Sequence, residues 1–182
     1  MIMIKTIITF IILFSLDNLI GIFMPRTLWG LYVIVPYTLL IAICLYTFYD
    51  DNNHLPILAF VFGFIVDIYN ANLMGLYAVL LPLIVVVIKK YIIPITPLNF
   101  VSLFYMSVIA IMSIEISVYI LVTIVTAQTM PLFRFIQHRL MITLVFNAIM
   151  LAIIYWPLVK LFRPKDDKKR KIKTVMMDNT RA

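Results

Sequence analysis

From Ile2 to Phe162 the chain is a succession of apolar runs close in length to the thickness of a lipid bilayer. This pattern constrains the fold more than any other feature. A hydrocarbon core about 30 Å thick takes roughly 20 apolar residues of helix to cross, and inside it every backbone N–H and C=O needs a partner within the protein. Composition points the same way. The 182 residues are 64% hydrophobic and 13% charged, where a soluble domain carries about 45–50% and 25%. So much apolar surface exceeds what a core of this size can bury, and the remainder must face lipid.

Six runs emerge. The first covers Ile2–Phe23 and stops at Met24-Pro25-Arg26. It is too long for the apolar part of a signal peptide and has no small-residue cleavage pattern, so it is expected to stay as a spanning helix. The second, Trp29–Phe48, opens on an interfacial Trp and closes on Tyr49 and the polar stretch Asp50–His54. The third, Leu55–Tyr69, falls short of the usual spanning length. The fourth, Gly75–Ile93, contains Pro82 and ends beside Pro94 and Pro97, which bracket a turn. The fifth, Asn99–Thr126, is long enough to tilt. After a loop over Gln128–Arg139, the sixth runs from Leu140 to Phe162. The expectation is an all-α, polytopic membrane bundle of six transmembrane helices over residues 1–163, followed by a basic tail at 164–182.

Charge sets the expected orientation. From Lys160 onward there are nine Lys/Arg against three Asp, whereas the preceding 159 residues hold six Lys/Arg against five acids. Six crossings with both ends in the cytoplasm place twelve basic residues inside and three outside (Arg26, Arg134 and Arg139), as the positive-inside rule requires. The run Lys168-Lys169-Arg170-Lys171 then reads as an orientation signal and a contact for anionic lipids, not as a nucleic-acid site. Cys44 is the single cysteine, so no intramolecular disulfide is available. The two histidines, His54 and His138, fall on opposite sides, and no nucleophile, phosphate-loop or zinc motif is present. No cofactor or metal is expected, and nothing in the sequence supports an enzyme.

The informative residues are the polar ones inside the runs, because a charge near the centre of a membrane helix costs at least about 2.5–3.5 kcal/mol. They are Asp17, Asp67 and Glu115, with the amides Asn18, Asn70, Asn72 and Asn147. In the expected topology they gather toward the outer half, near Arg26 and Arg139. Gly63, Asp67 and Asn70 share one helical face. A glycine one turn below the carboxylate admits a neighbouring backbone, and Arg26 or Arg139 is placed to neutralise Asp67. Glu115 has Tyr119 one turn above it as a hydroxyl partner. Asn147 is placed to bond across to another helix.

The stretch Gly63-Phe64-Ile65-Val66-Asp67, followed by Gly75 eight residues later, resembles the glycine–aspartate signature of the rod shape-determining protein MreD family. Asn147 with Pro157 ten residues on, after an aromatic pair, resembles that family's closing pattern, and Pro36 also fits. The resemblance implies a fold similar to the substrate-binding subunits of energy-coupling-factor vitamin transporters. It further implies a non-enzymatic scaffold of the bacterial cell-wall elongation machinery. The partner implied is an MreC-like bitopic protein, and through it a RodA-type glycan polymerase and a class B penicillin-binding protein. Gly63, Asp67, Asn70, Gly75, Asn147 and Pro157 are then expected to serve partner binding or structure, with Gly63 beside a lateral groove for the partner's helix. Two other classes compete. Convergent polar groups suit the substrate-binding subunit of a vitamin-type transporter, although no paired small-residue docking pattern lies on the early helices. An ion or proton path through Asp67 and Glu115 is the third.

Overall fold

The computed structural model describes residues 2–23, 34–49, 54–70, 75–97, 99–126 and 131–162. These form an all-helical membrane bundle of six helices. They are α1 (Ile2–Phe23), α2 (Thr38–Thr47), α3 (Leu55–Asn70), α4 (Leu76–Val87, prolonged by a π-helical turn at Ile88–Ile92), α5 (Phe100–Thr126) and α6 (Leu132–Phe162). Three of them, α1, α5 and α6, are long and apolar enough to cross a membrane unaided. The polar stretch at 50–53 and the basic tail fall outside the described residues.

The second apolar run departs from expectation. Where a helix from Trp29 to Phe48 is expected, Ile34–Tyr37 is non-helical and α2 has only ten residues, about 15 Å at 1.5 Å per residue. Pro36 explains the break locally. It has no N–H to donate, and it drives the residue before it, Val35, away from the helical region. Yet α2 is the centre of the molecule: all ten of its side chains are buried, and it touches the five other helices. A helix that is apolar on every side belongs in a core, and this one has a core to belong to.

The sixth run departs in the opposite sense. Its helix begins at Leu132, eight residues before the expected start, so Arg139 lies within a helix and not in a loop. Pro131 opens it with φ −54° and ψ 133°, backbone that suits a proline before a first turn. A π-helical turn at Ile136–Leu140 holds Arg139; such turns carry one extra residue and recur at functional positions.

Packing divides the bundle along its length. Toward one end, the Phe10 ring meets Tyr46, Phe62 and Phe162 edge-on at 5.4–6.5 Å between centroids. This is the favoured aromatic geometry. Toward the other end, where α1 and α3 finish and α2 and α4 begin, the interior is polar. At that end lies the candidate site.

Candidate functional site

Two short helices start inside the bundle, and each leaves backbone N–H groups with no partner within its own helix. In lipid no water is present to take them. An aspartate from the preceding helix does so in both cases. Asp17 of α1 accepts the Thr38 and Leu39 amides at 2.9 and 3.0 Å and the Thr38 hydroxyl at 2.7 Å. Asp67 of α3 accepts the Tyr77 amide at 3.0 Å and the Ala78 amide at 2.8 Å, one on each oxygen. A carboxylate at a helix N-terminus also sits at the positive end of the helix dipole. That lowers the cost of holding charge at membrane depth. The contrast with α5 is instructive, because there the N-cap is local: Asn99 accepts the Ser102 amide at 2.7 Å.

Gly63 completes the α3–α4 seam. A Cβ there would collide with the Tyr77 carbonyl oxygen and lie 2.8 Å from Ala78 Cα. Glycine and aspartate therefore meet the same two residues of α4, one by close approach and one by hydrogen bonding. Gly75, just ahead of α4, has φ 96°, a left-handed conformation that glycine adopts without a steric penalty.

Asn147 of α6 secures the break before α2. It is 1% exposed. Its Oδ1 accepts the Tyr37 amide at 2.7 Å, and its Nδ2 donates to the Val35 and Thr143 carbonyls, each at 2.8 Å. The helix break thus leaves neither Val35 O nor Tyr37 N unpaired.

Glu115 and Arg139 form the last element. The Arg139 Nε–H donates to Glu115 Oε2 at 2.6 Å, with Glu115 fully buried and the Arg139 side chain 29% exposed. The Tyr37 hydroxyl donates to Glu115 Oε1 at 2.8 Å, and the Tyr77 hydroxyl lies 3.3 Å from the Tyr37 hydroxyl. Tyr37 is the hub, with its backbone bound by α6 and its ring tip by α5. Beside this cluster is a cavity of about 340 Å³ lined in part by Phe14, Asp17, Asn18, Tyr37, Tyr77 and Arg139.

The structure accordingly brings together Asp17, Asp67, Glu115, Arg139 and Asn147, with different partners from those expected. Arg139, one of the two arginines expected at Asp67, pairs with Glu115, and among the described residues Asp67 takes the backbone amides of Tyr77 and Ala78. Tyr119 stacks 4.5 Å from Phe135, and the hydroxyl on Glu115 is that of Tyr37. The face of Gly63 is filled by α4 of the same chain, so no partner groove lies there. Pro157 sits apart on the exposed side of α6. Asn70 closes α3, and its side chain, like Asn72 and Arg26, lies outside the described residues. Tyr37 and Tyr77 escape sequence reading, since a tyrosine in an apolar run resembles an interfacial anchor. The proline before Tyr37 and the glycine two residues before Tyr77 are the available signals.

A model of the rod shape-determining protein MreD family matches residues 1–165. The chain belongs to the MreD family. The match covers all six helices, so the membrane bundle and the capped seams are the family's domain in this chain. No curated protein and no solved structure matches the chain. A membrane protein of rod shape determination is what the family supplies; the polar geometry says which of its residues hold it together.

Proposed function

We propose that this MreD-family chain is a non-enzymatic scaffold of the cell-shape machinery that holds the transmembrane helix of an MreC-like bitopic partner, with both of its own ends in the cytoplasm. The observation that carries the reading is the use of the intramembrane polar groups. Asp17, Asp67, Glu115 and Asn147 each hydrogen-bond to the backbone or hydroxyls at the chain's own helix starts, and Glu115 also to Arg139. Such use is architectural, and it favours assembly over the ion path. Through the partner, the scaffold would reach a RodA-type glycan polymerase and a class B penicillin-binding protein. The twelve basic residues then lie on the cytoplasmic side, and the tail meets anionic lipid there.

With Gly63 occupied by α4, the docking face is read as the outer side of α3, where Ile57, Phe60, Phe64 and Ile68 are 51–67% exposed. At 16 residues, α3 spans about 24 Å, short of a core about 30 Å thick. A short helix relieves such mismatch by associating. The test is recovery of the partner from membranes in mild detergent. Phe60→Ala/Phe64→Ala is expected to lose the partner while its melting temperature stays unchanged. Equal recovery with wild type and variant overturns the α3 face, and no bitopic partner with wild type overturns the scaffold reading.

A further inference from the structure

The cavity beside the polar cluster has no part in joining helices, yet its walls are organised. At about 340 Å³ it lies within the size range of small-molecule sites, roughly 300–1,000 Å³. One side is the non-helical stretch Ile34–Tyr37. Irregular backbone at membrane depth is tolerated where it is buried in protein or lines a cavity. The starts of both short helices, at Tyr37 and Tyr77, face the same space. In membrane transporters, helix N-termini that begin at membrane depth point at charged groups of the substrate.

The walls carry two opposite charges, each with capacity left over by its partners among the described residues. Asp17 accepts two hydrogen bonds on Oδ1 and one on Oδ2, and a carboxylate offers about four acceptor positions. The Arg139 Nε–H takes Glu115 behind it, and a guanidinium has about five N–H donors. Glu115 is sealed from the cavity, whereas Arg139 lines it. Asn18 adds an amide, whose Nδ2 donates to the Phe14 carbonyl at 2.8 Å, and the remaining walls are apolar or aromatic, with Phe14 and Tyr69 edge to face at 5.9 Å.

We propose that this cavity binds a zwitterionic amphiphile, with a primary ammonium received by Asp17, a phosphate or carboxylate received by Arg139, and an apolar body against Phe14 and Tyr69. A simple anion would leave Asp17 facing it, and a simple cation would face Arg139; a zwitterion answers both. A free aminophosphate and a phospholipid headgroup share this chemistry. The proposal does not depend on partner binding.

The experiment uses the full chain in mild detergent, with thermal unfolding and native mass spectrometry as readouts. The probes are lysophosphatidylethanolamine, phosphoethanolamine and lysophosphatidylglycerol, which has the phosphate but no ammonium. The expected result is that lysophosphatidylethanolamine raises the melting temperature and remains as a single adduct, while lysophosphatidylglycerol does less. A shift with phosphoethanolamine as well identifies a soluble zwitterion site; a shift with the lyso-lipid alone identifies a lipid site. Gly21 lines the cavity, and a Cβ there meets nothing within 4 Å, so Gly21→Phe fills the space and is expected to abolish the shift. Asp17→Asn keeps a capping oxygen and removes the charge. It is expected to weaken the ammonium-bearing probe about tenfold, the scale of one charge-assisted hydrogen bond, and to leave lysophosphatidylglycerol unaffected. Equal shifts from both lyso-lipids, persisting in Asp17→Asn and in any Gly21→Phe that folds, overturn the proposal.

Discussion

The α1–α2 and α3–α4 pairs solve the same problem with the same residue, and they end in opposite conditions. In each, an aspartate late in one helix receives the first amides of the next, shorter one. In the α3–α4 pair Asp67 is 2% exposed, and Gly63 lets the backbones close on it. In the α1–α2 pair Asp17 is half-buried, and Gly21 faces open space beside a cavity. Capping therefore does not by itself decide whether a seam is shut. The decisive difference is what the neighbouring glycine meets: backbone in one pair, nothing in the other.

The comparison is broken most directly at the glycines. Gly63→Leu is expected to prevent folding, because the clash is with Tyr77 and Ala78 backbone, which has no rotamer to change. The measure is monodispersity and melting temperature in detergent, and a wild-type-like melt would show that the seam is loose. Next in size is the ion pair between α5 and α6 on which the Tyr37 hydroxyl rests. Glu115→Gln leaves Arg139 without its counter-charge, and a broken buried pair costs about 3–5 kcal/mol. The double variant Glu115→Gln/Arg139→Gln is expected to regain part of that loss, read as a double-mutant cycle in denaturant.

The two caps sharpen the contrast. Asp67→Ala strands two amides at about 1–3 kcal/mol each, with no water to replace the oxygen. Asp17→Ala is expected to cost less, since its site opens on a cavity able to admit water. Equal losses in chemical unfolding would remove the distinction between closed and open seams. Gly75→Ala, at φ 96°, is expected to cost about 1 kcal/mol, in line with a left-handed position. Smallest of all, Gly21→Ala is expected to leave the melting temperature unchanged or slightly raised, as a glycine is exchanged for a better helix former.

Much of the fold is legible because lipid leaves the backbone few choices. α1 matches the expected run residue for residue, and α3, α5 and α4 taken together with its π-helical turn match within one residue at each end. The helix break at Pro36 is visible in hindsight, but a proline within an apolar run is compatible with a kinked helix as well as with a stop. What tips it to a stop is Asn147, 110 residues away, which bonds on both sides of the break. The early start of α6 was hidden because Arg134, His138 and Arg139 read as loop residues. A buried glutamate on another helix makes the arginine acceptable inside one.

The sequence by itself determined the medium, the class and the set of costly residues. Transfer free energy into lipid depends on composition and run length, and both are local. The resemblance to the MreD family was legible too, in Gly63, Asp67 and Asn147. Only the tertiary structure decided what those residues hold. A carboxylate at membrane depth is stable against an arginine, a hydroxyl or a row of helix-start amides, and no spacing along the chain distinguishes among them. Packing put α4 on Gly63 and left space at Gly21. That placement made one aspartate a sealed joint and the other the wall of a cavity.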